Sequence, residues 1–194
     1  MHRLCGTVET VPFQFGNIQT DPRPNRGKGM PVSPEQFRKV LGHFATGVTV
    51  VTTRLASGEP WGFTVNAFTS LSLAPPLVLV CVDHGTESFQ AMRRAEYFAV
   101  NFLTEDQEDL SRVFASKLQD RFRHVPHSDS SHGSPLLDGC LGFVECRKIA
   151  SHAHGDHTII IGEVLEAKAS GGHPLLFYRG SYARMEPSLE PTKR

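Results

Sequence analysis

The sequence predicts a mainly β fold: an antiparallel barrel, closed or partly closed, flanked by a few short helices. Three observations lead there. Residues 48–53 and 77–82 are β-branched, apolar runs of strand length. Residues 63–72 alternate with period two, the mark of a strand with unlike faces. Turn-forming Gly, Pro, Asn, Asp and Ser separate many such runs, while only two or three segments show a helical period.

Residues 1–32 hold Pro12, Pro22, Pro24 and Pro31 with scattered Phe13, Phe15 and Ile18 and no sustained period, so they are expected to form an N-terminal extension. The domain proper is expected over 33–185. It opens on Ser33-Pro34-Glu35-Gln36, a capping serine, a proline at the first helical position and a glutamine three residues after the cap. Phe37, Val40, Leu41 and Phe44 follow at i, i+3, i+4, i+7, which predicts a helix with one face in the core. Gly47 stops it. The strand at 48–53 turns at Ser57-Gly58-Glu59-Pro60 into the strand at 63–72, an expected antiparallel hairpin.

Within 63–72, Phe63, Val65 and Ala67 fall on one face and Thr64, Asn66, Phe68, Ser70 and Ser72 on the other. Pro75-Pro76 ends that strand, and residues 77–82 read as a strand buried on both sides. The polar loop Asp83-His84-Gly85-Thr86-Glu87-Ser88 offers Thr86 as the cap of a short helix reaching about Arg94. A strand at 97–102 precedes a second capping box at Thr104 and Gln107, which opens a helix through Leu110, Val113 and Phe114. Residues 117–137, rich in His, Ser, Gly and charge, are expected as an exposed, movable loop. Strands resume at 141–149, 158–167, 175–178 and 182–185, and residues 186–194 form a C-terminal tail.

Twenty basic residues balance twenty acidic ones, so no overall field favours nucleic acid or an anionic membrane surface. No apolar run approaches the ~20 residues that span a bilayer, and the N-terminus lacks a secretory apolar region, which predicts a cytoplasmic protein. Cys5, Cys81, Cys140 and Cys146 form no Cys-x-x-Cys pair and read as structural thiols.

His152-Ala153-His154-Gly155-Asp156-His157 matches His-x-His-x-Asp-His, the spacing by which metallo-β-lactamase-like hydrolases hold two metal ions. In those enzymes a helix follows and leads to further ligands. Here a strand follows at once, and His173 is the only histidine downstream. The ligand set such a centre needs is therefore incomplete, and no metal is expected. A polar turn, or a single histidine serving an organic cofactor, accounts for the same residues.

Several segments taken together resemble the short-chain flavin reductases, the reductase components of two-component flavin-dependent monooxygenases. They are the run beginning at Phe44, the block 62–82, the segment 98–103 with Gln107 and Phe114-Ala115, the Gly155-Asp156-His157 turn, Gly162-Glu163-Val164 and the segment 174–180. The likeness covers about residues 33–185 in order and spacing. It implies an antiparallel split β-barrel, a homodimer, FMN or FAD as the flavin, NADH or NADPH as hydride donor, and a separate oxygenase or halogenase that receives reduced flavin. Thr64, Val65, Asn66, Ala67 and Phe68 are then the edge along which the isoalloxazine lies, and Asp83, Gly85, Thr86 and Ser88 the phosphate loop. The acid at Glu87 departs from what a phosphate loop wants. The resemblance further implies that His157 positions the nicotinamide, with Arg179 and Tyr182 lining the same cavity. Such barrels also serve as flavin- or haem-binding modules without turnover, and the metal-dependent hydrolase suggested by residues 152–157 is a third reading.

Overall fold

The computed structural model describes residues 32–186. The expected N-terminal extension (all but Val32), most of the C-terminal tail, and Cys5 lie outside them. Helix α1 (Pro34–Leu41) begins on the capping box read from the sequence: Ser33 Oγ accepts from Gln36 N at 3.1 Å, and Gln36 Oε1 accepts from Ser33 N at 3.1 Å. Strands β1 (Thr46–Gly47), β2 (Thr49–Arg54), β3 (Pro60–Val65), β4 (Phe68–Leu73) and β5 (Pro76–Asp83) follow. Helix α2 (Glu87–Arg94), capped by Thr86, leads to β6 (Tyr97–Phe102) and, through a short 3₁₀ turn, to α3 (Glu108–Ala115). The chain ends with β7 (His127–Asp129), β8 (Pro135–Leu137), β9 (Gly142–His154), β10 (His157–Ala169), β11 (Leu176–Tyr178) and β12 (Ser181–Ala183). No helix among the described residues is long and apolar enough to cross a membrane.

Seven strands form one antiparallel sheet in the order β3-β2-β6-β9-β10-β5-β4. Its two end strands, β3 and β4, are consecutive in sequence and separated only by Asn66 and Ala67. Two residues span only about 7 Å, so the sheet must curl until its edges nearly meet, which makes it a barrel with a seam at residues 66–67. Inside lie Val51, Phe63, Val78, Val80, Phe98, Val100 and Ile160, all buried. A second cluster, with Val50, Leu103, Phe114 and Leu175, joins α3 and the small β1-β11-β12 sheet to the outside of the barrel.

The seam corrects one expectation. Residues 63–72 are two strands, and the face changes between them: Phe63, Val65 and then Phe68 pack with the core, three positions separating the last two. The period-two pattern missed the break because it depends on long-range closure. β5 is buried on one side only, with Val78, Val80 and Val82 enclosed and Leu77, Leu79 and Cys81 half-buried. β9 and β10 run five and two residues beyond the ends expected, so residues 155–156 form the tip of a long hairpin.

Two further expectations fail. The apolar stripe of α1 is not core: Phe37 is 58% exposed, Val40 66% and Phe44 73%. Its spacing made the helix amphipathic without saying what covers it. Residues 117–137 are not a free loop either. They carry the β7–β8 hairpin, Thr52 Oγ1 donates to Pro135 O, and Asn101 Oδ1 accepts from Leu137 N at 2.9 Å. Within this stretch Arg121 is buried and donates to Gly62 O at 2.9 Å and Ser116 O at 2.7 Å.

Candidate functional site

The curled sheet brings three separated pieces of chain together. β5 and β10 pair with Asp83 opposite His157, so the loop leaving β5 stands beside the hairpin tip entering β10. Two contacts fix that placement: His84 N donates to Asp156 O at 3.0 Å, and His84 Nε2 lies 2.8 Å from Thr158 Oγ1. The seam is tied to the same strand, since Ala67 O accepts from Cys81 N at 3.0 Å. The result is a cleft of about 670 Å³ lined by Thr64, Val65, Asn66 and Ala67, by Asp83, Gly85, Thr86 and Ser88, and by His157.

Several polar groups there are already committed. Thr64 Oγ1 donates to Ser111 O at 2.7 Å, which ties the seam to α3. Asp83 Oδ1 accepts from Gly85 N at 2.7 Å, and Thr86 Oγ1 donates to Asp83 O at 2.7 Å while accepting from Phe89 N at 3.3 Å. The loop is thus closed on itself. What remains for a ligand are the amides of Glu87 and Ser88, the first two residues of α2, which have no intrahelical acceptor and carry the positive end of the helix dipole.

His157 Nδ1 sits 2.7 Å from Asp156 Oδ1, and this contact holds the Asp156 carboxyl below the usual carboxylate range. With Nδ1 turned to the carboxylate, Nε2 is the ring nitrogen left for a ligand. Cys81 also lines the cleft. Burial pushes its thiol up, which disfavours the thiolate form a nucleophile needs.

Lys117 and Arg121 line the cleft as well, and neither was singled out from the sequence as a site residue. Lys117 has no ion-pair partner among the described residues, and Arg121 feels Glu87, whose charge opposes the fall in its pKa caused by burial. The charge of Glu87, the acid that looked misplaced in a phosphate loop, is thus partly offset by a buried cation. A signal was present: Lys117 is the first cation after α3, two residues past the Phe114-Ala115 pair.

Three expected residues lie outside this cleft. Phe68 turns into the core, 5.4 Å from the Phe102 ring, and lines a neighbouring cavity of about 530 Å³ with Asn66. Arg179 adopts φ 51° and donates its N–H to Gly42 O at 2.8 Å, beside α1. Tyr182 OH is 2.8 Å from Ser111 Oγ, and the Arg112 guanidinium lies 4.8 Å over its ring. Ser111 thus links Tyr182 to Thr64 through α3, behind the cleft. His152 and His154 sit along β9, and among the described residues no three His, Cys, Asp or Glu side chains converge as metal ligands.

The cleft offers free amides, one unpaired cation, an amide side chain at Asn66 and a single oriented histidine. That inventory suits holding a planar ring with an anionic tail, not acid–base hydrolysis. The profile of the flavin reductase like domain matches residues 41–186. The reductase subunit HsaB of a flavin-dependent monooxygenase from Mycobacterium tuberculosis is 43% identical over 159 residues, covering 80% of this chain and 84% of that protein. Nitrilotriacetate monooxygenase component B from Mycobacterium thermoresistibile superposes with a TM-score of 0.78 at 39% identity, over 82% of this chain and 90% of that one. An NADH:FAD oxidoreductase from Streptomyces globisporus, solved with NAD and FAD fragments, gives 0.77 at 38% identity, over 84% and 100%.

Proposed function

The chain belongs to the flavin reductase like family, and from that premise we propose that it oxidises NADH, reduces FAD and hands the reduced flavin to a separate flavin-dependent monooxygenase. The observation that carries this reading is the single cleft in which residues 64–67, the loop at 83–88 and His157 meet. The choice of NADH and FAD is supported by the relative described as an NADH:FAD oxidoreductase. The oxygenase partner is supported by the relatives that are reductase components of monooxygenases.

Bound together, nicotinamide and flavin exchange a hydride between stacked rings, a reaction governed by positioning more than by a strong acid or base. This chain's residues supply the positioning. The backbone of residues 64–67 presents amide donors and acceptors to the polar ring edge. Lys117 and the Glu87 and Ser88 amides hold the phosphate. His157, oriented by Asp156, places the nicotinamide. Cys81 and Val82 form an apolar wall that limits water at the rings.

Phe37, Val40, Leu41 and Phe44 leave the apolar stripe of α1 exposed, and Leu73 at the end of β4 is 94% exposed, the kind of apolar surface that marks an interaction site. We read it as the homodimer contact, which sedimentation of the purified protein tests. Activity is tested by NADH absorbance at 340 nm. Oxidation that requires added flavin is expected, and no oxidation with either flavin and either nicotinamide rejects the reading.

A further inference from the structure

A second cavity of about 590 Å³ opens beside the flavin cleft and has no part in the chemistry above. Trp61 and Tyr97 line it, with Gln90 and Arg94 of α2 on one side and His132, Gly133 and Ser134 of the turn at residues 130–134 on the other. The turn is built, not loose. Glu145 is fully buried and accepts from Ser130 Oγ and from His132 N at 3.2 Å, while its Oε2 lies 2.9 Å from His132 Nδ1. Ser130 Oγ in turn accepts from Ser134 N at 2.8 Å. A buried carboxylate spent on one surface turn fixes the shape of the wall that the turn supplies.

His132 stacks on Tyr97 with centroids 4.6 Å apart and planes 17° apart. Its Nδ1 faces Glu145, so Nε2 is the nitrogen available to a ligand. Trp61 Nε1 and Ser134 Oγ are buried without a hydrogen-bond partner among the described residues, and both residues line this cavity. Both atoms are covered by protein, so they lie behind the cavity wall, and the residues meet a ligand through their other atoms. Arg94 lines the same cavity with no ion-pair partner among the described residues. Aromatic walls and a guanidinium without an ion-pair partner among the described residues fit a flat base that arrives attached to phosphate.

The cavity adjoins the flavin cleft. Glu87 and Gln119 line both, and Arg121 lines the flavin cleft while its guanidinium lies 4.6 Å over the Trp61 ring. Arg121 Nε is itself buried and unpaired. A flavin whose phosphate rests at the start of α2 would have the side of that helix as its path onward. We propose that this second cavity receives the adenine end of FAD and makes the enzyme prefer FAD over FMN. This rests on the flavin reading of the first cleft.

Trp61 is the only tryptophan in the chain, so its emission reports the cavity directly. AMP, which carries no flavin, is expected to change that emission saturably, with FAD competing and FMN not. FAD is expected to bind about tenfold or more tighter than FMN. Arg94→Ala combined with Gln90→Ala, both on the exposed side of α2, should raise the Kd for FAD toward that of FMN while the Kd for FMN moves less than about twofold. Equal affinity for the two flavins, or Trp61 emission indifferent to AMP, overturns the proposal. So does a double variant that raises KM for NADH and leaves FAD binding alone, since the cavity would then hold the nicotinamide's adenosine. Failure of the flavin reading itself would look different: neither flavin would support NADH oxidation or bind.

Discussion

The segment 64–67, which includes the seam, and the hairpin end at residues 152–157, which includes the tip, both reach the candidate site, yet they are built on opposite principles. The tip displays its chemistry in exposed side chains: Asp156 is 91% exposed and His157 45% at the side chain. The seam shows little chemistry in its side chains, since Thr64 has given its hydroxyl to α3 and Phe68 has turned inward. Its contribution is the position of its backbone, held by packing on both flanks. A change at the tip should therefore act locally on one ligand contact, whereas a change behind the seam should act through the fold.

The strongest way to break this contrast is to disturb the packing that holds the seam. A methyl group on Gly62 would sit 2.8 Å from a ring carbon of Phe114, and the Gly62 carbonyl is also the acceptor for buried Arg121. Gly62→Ala is expected to cost about 1–3 kcal/mol of stability and to weaken flavin binding, read by thermal denaturation and flavin titration together. An unchanged melting temperature with lost flavin binding would place the effect in the ligand contact and not in the fold. Arg121→Ala leaves Gly62 O and Ser116 O without their donor and should cost a further ~1–3 kcal/mol.

At the tip the expectation reverses. His157→Ala should raise KM for NADH by about tenfold, a loss near 1.4 kcal/mol, with stability and flavin Kd nearly unchanged. Loss of flavin binding instead would move His157 into the flavin contact. Lys117→Ala should weaken flavin binding several-fold, and the difference from wild type should shrink as salt screens the exposed charge. The smallest effect belongs to the motif that looks most like a catalytic centre. His152→Ala with His154→Ala should leave turnover within about twofold, because any loss is limited to solvated surface contacts.

What was legible in the sequence were the local devices. The caps at Ser33 and Thr86 are side-chain chemistry within one turn of chain, and both form in the structure. The strands expected at 48–53, 77–82 and 97–102 form within one residue of those bounds. Illegible were the relations that need the whole sheet. Nothing in the alternation of residues 63–72 announces that two of them bridge the ends of a seven-stranded sheet. Nothing in the spacing of Phe37, Val40, Leu41 and Phe44 tells a face turned to the core from a face left open. Arg121 escaped notice for a related reason: it lies in an aperiodic stretch, and its value comes from a carbonyl 59 positions away. The cleft residues from the seam, the loop at 83–88 and His157 were recognisable because their order and spacing follow a family pattern; Lys117, two residues past Phe114-Ala115, lies just outside the segments that carry that pattern.

The order of strands in the large sheet also sets when the site can exist. From β3 to β4 the hydrogen-bonded path does not cross the two residues between them. It runs the long way, through β2, β6, β9, β10 and β5, and so draws on chain as far as residue 169. Closing such distant segments is entropically slow, and contacts of high sequence separation reward it only once complete. During synthesis residues 64–67 emerge early yet cannot take up their final positions until β10 has been made. The cleft is in this sense a late product of the chain's own assembly. Recovery of flavin binding after denaturation should trail the recovery of β-sheet signal, and a chain truncated before β10 should retain the seam sequence while binding no flavin.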